Sequence, residues 1–193
     1  MKIVIINYGA GNIQSIKFAI KRLGFEAILS SDIQEIRNAD KVIFPGVGEA
    51  SSAMKKLRDS GLDTIIPTLK QPVLGICLGM QLMCNSSEEG NTKGIGIFDV
   101  DVIKFHTDVK VPQIGWNQIT GLESDLFKGI QNQEHIYLVH SFYAPVCNAT
   151  IASCNYGIPY SAALQKDNFY GTQFHPEKSS AVGQEILANF LEI

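Results

Sequence analysis

The chain has 193 residues, of which 45% are hydrophobic and 18% charged, and its formal net charge is −3 at pH 7. This composition is typical of an ordinary globular protein, and the slightly acidic balance argues against charge-driven binding to nucleic acid or to a membrane surface. No apolar run is long enough to span a membrane, and the N-terminus lacks the extended apolar stretch of a signal peptide. We therefore expect a cytoplasmic protein.

Strands and helices are predicted to alternate in the first half of the chain. The apolar run at residues 2–7 is typical of a strand buried on both faces of a parallel sheet. Apolar residues three or four apart then predict a helix that ends at Gly24. Further strands are predicted at residues 26–30, 41–44 and 73–76, and further helices at residues 50–57 and 78–84. A helical spacing at residues 62–69 is interrupted by Pro67.

The second half of the chain is richer in predicted strands. Alternating apolar residues at 98–102 predict a strand with one wet face. Short strands are predicted at residues 137–139, 150–154, 161–165 and 169–174, and a last helix begins at Ser180. This order predicts an α/β fold with an open mixed sheet, parallel in its centre, antiparallel toward one side and flanked by helices. We find no repeat and no linker, so we expect one domain over residues 1–193.

The segment Gly75-Ile76-Cys77-Leu78-Gly79 places a cysteine at a predicted strand-to-helix turn. Such a turn holds a nucleophile out at the carboxyl edge of the sheet, and glycines on either side leave room for the tight backbone. The N-terminus of the following helix favours the thiolate, and the backbone N–H of Leu78 is placed to stabilise an oxyanion. A buried structural cysteine in a glycine-rich turn is the alternative. The other three of the four cysteines are expected to be reduced and buried.

The segment His175-Pro176-Glu177 offers a general base with an orienting carboxylate. On an extended backbone, residues two apart point the same way, and Pro176 keeps the preceding residue extended. Glu177 could then accept a hydrogen bond from one ring nitrogen of His175 while the other nitrogen faces a thiol. A solvent-exposed pair at a strand end is one alternative. A zinc deaminase site is the other, but the chain lacks the Pro-Cys-x-x-Cys partner of that motif. We predict no metal and no cofactor.

The segment Pro45-Gly46-Val47-Gly48 follows the predicted strand at residues 41–44. Its glycines could bring backbone amides close to a ligand, and oxyanion holes usually draw N–H groups from two segments. The segment resembles a phosphate-binding loop only loosely, because the Gly-Lys-Ser/Thr ending is missing. A tight turn before a helix is the alternative.

Together, GICLGMQ, PGVG and QFHPEKS resemble the class I (triad) glutamine amidotransferases, with a single-domain, flavodoxin-like fold. The further stretches INYGAGN, VPQIGWN and YLVHSFYAP are similar to the glutaminase subunits that work with a (β/α)8-barrel cyclase in histidine biosynthesis. The resemblance covers effectively the whole chain. It implies hydrolysis of L-glutamine and a heterodimer with the cyclase, to which the ammonia is channelled.

The resemblance also implies roles for individual residues. The triad is Cys77, His175 and Glu177. Gly46 and Val47 supply an oxyanion amide, with a peptide flip triggered by the partner as one route to it. The implied contacts of the substrate are Gly48, Gln81, Glu89, His140, Ser141 and Phe142. The implied interface with the cyclase contains Asn12, Trp116, Asn117 and Lys178.

Several of these assignments have plain structural alternatives. Gln81 and Glu89 could belong to a polar helix face, His140 could be a packed residue at a strand end, and Trp116 could be a core residue beside Gly115. Trp116 is the only tryptophan, and tryptophan is a favoured interface anchor.

Two positions depart from the pattern of the family. Gln113 stands where many members have histidine, and Asn7 replaces a common aspartate. Both leave room for a paralogue that supplies ammonia to another acceptor enzyme. A stand-alone cysteine hydrolase of related fold and a non-enzymatic binding or redox module are the remaining hypotheses.

Overall fold

The computed structural model describes residues 1–106 and 109–193. The helices are α1 (Ile13–Arg22), α2 (Ile33–Arg37), α3 (Ala50–Asp59), α4 (Leu62–Ile65), α5 (Leu78–Leu82) and α6 (Ser180–Glu192). Short 3-10 turns lie at Ile66–Thr68, Glu89–Asn91, Asp125–Phe127 and Pro176–Lys178. None of the helices in these described residues is both long and apolar enough to cross a membrane.

The strands are β1 (Ile3–Ile6), β2 (Ala27–Ser30), β3 (Lys41–Gly46), β4 (Val73–Cys77), β5 (Cys84–Ser87), β6 (Thr92–Lys93), β7 (Phe98–Lys104), β8 (Gln113–Gln118), β9 (His135–His140), β10 (Phe142–Tyr143), β11 (Thr150–Asn155), β12 (Pro159–Lys166) and β13 (Phe169–Thr172). Seven of them form the central sheet in the order β11-β12-β13-β4-β3-β1-β2. The pairs from β13 to β2 are parallel, whereas β11, β12 and β13 pair antiparallel. The predicted mixed sheet is confirmed.

The core lies on both faces of the central sheet. In β1, Ile3 and Ile5 pack into one hydrophobic cluster with α1 and α6, while Val4 and Ile6 pack into the other with α2, α3 and α5. All four side chains are fully buried. Successive strand residues point to opposite faces, so a strand covered on both sides reads as the continuous apolar run seen in the sequence.

The prediction at residues 78–84 was wrong at its end. Helix α5 stops at Leu82, and Cys84 begins β5, which pairs in parallel with β7. At residues 62–69 the chain is helical as the spacing suggested, and a 3-10 turn that contains Pro67 ends this stretch.

A hairpin of β8 and β9 stands apart from the central sheet and is tied to the segment that follows β13. Its two strands pair antiparallel from Gln113 opposite His140 to Gln118 opposite His135. The backbone N–H of His175 donates to the carbonyl of Tyr137 (3.0 Å), and the Ser179 hydroxyl lies between the N–H of Tyr137 and the carbonyl of His175. The hairpin is thereby fixed beside the carboxyl ends of β3, β4 and β13.

Candidate active site

Cys77 is the last residue of β4, at the turn into α5, and only 7% of it is exposed. Its backbone has φ 55° and ψ −111°, a left-handed conformation that is strained for a residue with a side chain. The flanking glycines are needed for close packing: a Cβ on Gly75 would lie 2.8 Å from the N atom of Met80, and one on Gly79 would collide with the carbonyl of Phe44. The predicted sharp strand-to-helix turn is confirmed.

Because α5 has only five residues, fewer aligned peptide dipoles act on the thiol than the longer predicted helix would supply. The Sγ atom lies 3.8 Å from the Nε2 atom of Gln173 and 3.8 Å from the carbonyl oxygen of Val139. The first of these groups can donate a hydrogen bond to sulfur, and the second can only accept one.

His175 and Glu177 form a buried pair. The Nδ1 atom of His175 lies 2.8 Å from Oε1 of Glu177, and the two side chains are 6% and 1% exposed. The sequence argument for this pair was wrong in one respect, because Pro176 opens a 3-10 turn instead of continuing an extended chain. The 3-10 turn, and not an extended backbone, therefore brings the carboxylate of Glu177 to the ring of His175.

The pKa of His175 reflects the groups that surround its ring. Burial alone would lower this pKa, but hydrogen bonds and negative charge from Cys77 and Glu177 outweigh burial and raise the pKa to about 10. The second oxygen of Glu177, Oε2, is buried without a hydrogen-bond partner among the described residues. The carboxylate is thus directed at the imidazole, which favours transfer of a proton from the neighbouring thiol to His175.

The PGVG segment lies directly against the turn that carries Cys77. Gly46 is in register with Cys77 on neighbouring parallel strands. A Cβ on Gly46 would lie 2.5 Å from the N atom of Gly79 and 2.8 Å from the Cβ of Leu78. The carbonyl of Pro45 is held by the hydroxyl of Tyr8, which donates to it over 2.8 Å. Two backbone segments therefore meet beside the thiol, as an oxyanion hole requires.

One cavity of about 340 Å³ joins most of the predicted residues. Its lining contains Val47, Gly48, Cys77, Leu78, Gln81, Glu89, His140, Ser141, Phe142, His175 and Lys178, together with Pro112 and Val139. Gly46 and Glu177 do not line it: Gly46 packs against the turn at Cys77, and Glu177 pairs with His175. The volume suits a ligand of amino-acid size.

Gln81 and Glu89 face this cavity with part of their polar groups already engaged. The Nε2 group of Gln81 donates to the carbonyl of Phe142 and to Oε1 of Gln173, both over 2.8 Å. Its remaining Oε1 is the atom that it can offer a ligand. Oε2 of Glu89 accepts from the N–H of Ala50 (2.9 Å), and burial raises the pKa of Glu89. Both side chains present acceptors, which suits an ammonium group.

His140 ends β9 and combines the two interpretations left open by its sequence. It is a packed strand-end residue that also lines the cavity. Its Nδ1 lies 2.8 Å from the carbonyl of Phe142, and its Nε2 lies 3.0 Å from Oε1 of Gln113. Burial lowers the pKa of His140 to about 4, so the ring is neutral at pH 7 and can donate to only one of these two oxygens. The Tyr160 hydroxyl also donates to Gln113 (3.0 Å), so the departure at position 113 keeps a polar contact with His140.

The residues predicted for a partner interface lie in different surroundings. Trp116 is 54% exposed and stacks edge-on against Tyr137 at 5.9 Å between ring centroids, so the alternative of a core tryptophan is wrong. Lys178 borders both the cavity and a surface depression of about 460 Å³ that Trp116 helps to line. Asn117 donates to the carbonyl of Asn155 (2.9 Å), and Asn12 is half-buried before α1.

Gln173 is a site residue that the sequence reasoning missed. It is fully buried, and it contacts both Gln81 and the sulfur of Cys77. A signal was present, because Gln173 lies two residues before His175, in the segment QFHPEKS that carries part of the family resemblance.

A protein-family model described as glutamine amidotransferase class-I matches residues 4–193. The chain therefore belongs to the class-I glutamine amidotransferase family. Within curated proteins it is 57% identical over 196 residues to imidazole glycerol phosphate synthase subunit HisH of Bacteroides fragilis, and 55% identical over 197 residues to that of Bacteroides thetaiotaomicron. Both alignments cover 100% of this chain and 100% of the relative.

The fold is likewise similar to solved structures. A glutamine amidotransferase superposes with a TM-score of 0.75 at 18% identity, covering 98% of this chain and 97% of the other. The PurLQS structure from Thermotoga maritima gives 0.74 at 14% identity, covering 99% and 97%. Because the sequence identities are below 20%, these superpositions bear on the fold alone, and they confirm the predicted single-domain class I fold.

Proposed function

We propose that the chain is the glutaminase subunit of imidazole glycerol phosphate synthase. It hydrolyses L-glutamine to glutamate and ammonia, and the ammonia passes to a cyclase subunit that makes imidazole glycerol phosphate and aminoimidazole carboxamide ribotide in histidine biosynthesis. The observation that carries this proposal is the buried His175–Glu177 pair at 2.8 Å, whose histidine lines the same cavity as Cys77. Relatives with 57% and 55% identity over their full length bear the name of this subunit.

The geometry supports a thioester route. The Cys77 thiol transfers its proton to His175, and the thiolate attacks the side-chain amide carbon of glutamine. The backbone N–H of Leu78 and the Gly46–Val47 segment stabilise the oxyanion that forms. His175 returns the proton to the leaving nitrogen, which departs as ammonia and leaves a γ-glutamyl thioester. His175 then takes a proton from water, whose attack releases glutamate and regenerates the thiol.

We assign recognition of the amino-acid end of glutamine to the opposite side of the cavity. Oε1 of Gln81 and the carboxylate of Glu89 are acceptors for the α-ammonium, and Gly48, Ser141 and Phe142 offer backbone atoms beside them. His140, neutral and packed, holds the carbonyl of Phe142 in place through its Nδ1. Its role is therefore to shape the cavity.

We place the cyclase, a (β/α)8 barrel, over the surface depression lined by Trp116 and Lys178, and we assign Asn117 and Asn12 to the same interface. An exposed tryptophan is a common interface anchor, and Lys178 connects this depression to the cavity. Ammonia would be protonated in bulk water and lost as a nucleophile, so a dry route toward the partner serves the chemistry. The same proposal includes a cytoplasmic heterodimer and one domain over residues 1–193.

Glutamate release tests the proposal, measured with and without the cyclase and its nucleotide substrate. We expect the pair plus nucleotide to raise the rate well above that of the free chain. Cys77→Ala should abolish release, whereas Cys147→Ala, at a half-buried thiol outside the cavity lining, should behave as wild type. Turnover that the partner leaves unchanged, or cleavage of peptides in preference to glutamine, would refute this function and favour a stand-alone hydrolase.

A further inference from the structure

A chain of hydrogen bonds runs beneath the cavity floor and ends at the nucleophile. The carbonyl of Phe142 accepts from Nε2 of Gln81, the same Nε2 donates to Oε1 of Gln173, and Nε2 of Gln173 lies 3.8 Å from Sγ of Cys77. Gln81 and Gln173 are both buried. Gln81 faces the cavity, whereas the lining does not include Gln173.

The orientation of both amide groups follows from the first member of this chain. A backbone carbonyl can only accept, so Gln81 must turn its NH2 group toward Phe142. The second hydrogen of that NH2 group points at Gln173, which must present its carbonyl oxygen in return. The NH2 group of Gln173 is then left facing Cys77, and the sulfur receives a donor.

We propose that Gln173 is a positioning residue that donates a hydrogen bond to the Cys77 thiolate and is itself oriented by Gln81. The carbonyl of Val139, also 3.8 Å from Sγ, can accept only from the protonated thiol. The sulfur thus lies between a group that stabilises the thiol and a group that stabilises the thiolate. Without the Gln173 amide, only the carbonyl of Val139 remains of these two contacts, and it favours the protonated thiol.

As a consequence, Gln81, which contacts the ligand, also orients the Gln173 amide that donates to the sulfur of Cys77. A ligand that draws on Oε1 of Gln81 holds its side chain in place, and with it the amide of Gln173. This inference rests on the proposed function, in which Cys77 is the nucleophile and Gln81 contacts glutamine. It adds an assignment for Gln173 that the thioester route itself does not require.

The test is the pH dependence of Cys77 alkylation by iodoacetamide in the full chain, followed by mass spectrometry of the peptide that contains Cys77. Because alkylation proceeds through the thiolate, the pH at half of the plateau rate reports how the site stabilises it. In Gln173→Met, which keeps the side-chain length and removes the donor, this pH should rise by about one unit, a tenfold change in the equilibrium. The plateau rate should stay within about twofold of wild type, since thiolate access is unchanged.

Thr172→Val is the matched control. Thr172 is fully buried next to Gln173, and its hydroxyl donates to the carbonyl of Phe174 (3.1 Å) instead of to the site. This variant should keep the wild-type half-plateau pH. If Gln173→Met does not fold, Gln173→Asn tests the same point, because its amide is one methylene too short to reach the sulfur.

An unchanged half-plateau pH in a folded Gln173 variant would overturn the proposal, as would a lower plateau with no shift, which would indicate packing alone. Gln81→Met should shift the profile in the same direction by less, and no shift there would overturn the orienting role of Gln81. Alkylation needs neither glutamine nor the cyclase. A failure of partner stimulation would therefore refute the proposed function while leaving this measurement to decide on Gln173.

Discussion

Replacement of Gly46 with alanine would test whether the PGVG segment must touch the turn at Cys77. The hydrogen of Gly46 that alanine would replace points straight at the start of α5. A Cβ there lies 2.5 Å from the N atom of Gly79 and 2.8 Å from both the carbonyl carbon and the Cβ of Leu78. These neighbours are backbone atoms and a Cβ atom, none of which can move away by a side-chain rotation.

The size of the effect follows from this geometry. Ordinary contact of a Cβ atom begins at about 3.4 Å, so the strand end at Gly46 must move away from α5 by about 1 Å. Overpacking of this kind usually costs about 1–3 kcal/mol of folding free energy. A displacement of about 1 Å between reacting groups can lower a catalytic rate by about 100-fold. We expect Gly46→Ala to fold, to be less stable by that amount, and to lose about 100-fold in glutaminase rate.

Urea denaturation would give the free energy of unfolding, and glutamate release in the complex with the cyclase would give the rate per folded molecule. Ile36→Val is the control, because Ile36 is fully buried in α2 away from the cavity, and this change typically costs about 0.5–1.5 kcal/mol. It should keep the wild-type rate. A Gly46→Ala variant that is destabilised yet fully active would refute the link between this contact and the oxyanion site. Wild-type stability would refute the contact itself.

Three further outcomes are expected. Tyr8→Phe leaves the carbonyl of Pro45 without its hydrogen bond and should lower the free energy of unfolding in urea by about 1 kcal/mol. The pKa of His175 is about 10 in the folded chain, against an ordinary value of 6.5. Its protonation therefore stabilises the fold fully below pH 6.5, and this contribution is lost as the pH rises through 10. In urea denaturation, the difference in free energy of unfolding between wild type and Glu177→Gln should be larger at pH 7 than above pH 10. Trp116→Ala should weaken cyclase binding about tenfold in calorimetry with little change in the melting temperature of the free chain, because the ring is 54% exposed.

The central sheet was predictable because its strands are buried on both faces and therefore read as apolar runs. Elements that depend on contacts with segments far away in the sequence, or that are very short, could not be predicted. Strand β5 (Cys84–Ser87) is mostly polar, and its parallel pairing with β7 depends on backbone groups that carry no sequence signal. Helix α2 (Ile33–Arg37) is too short to show a helical period, although Asp32 caps it by accepting from the N–H of Glu35 (2.7 Å).

The candidate site divides in the same way. The segments at Gly46, Cys77 and His175 could be joined from the sequence through the chemistry of a triad and through the family resemblance. That they meet because β3, β4 and β13 are neighbouring parallel strands is shown only by the sheet order. The contacts of Gln81 with Phe142 and Gln173 join residues 61 and 92 positions apart and depend on side-chain orientation. Family resemblance supplied Gln81 as a ligand contact, but only the three-dimensional arrangement shows that its NH2 group is already engaged.

The backbone conformation at Cys77 sets stability and activity against each other at a single position. A φ of 55° is one that glycine adopts freely and that a residue with a Cβ adopts at a cost of about 1–3 kcal/mol. Cys77→Gly would thus relieve strain while deleting the thiol. A search for more stable variants that ignored turnover would be drawn toward this substitution, so any stabilisation campaign on this scaffold needs a functional filter at residue 77.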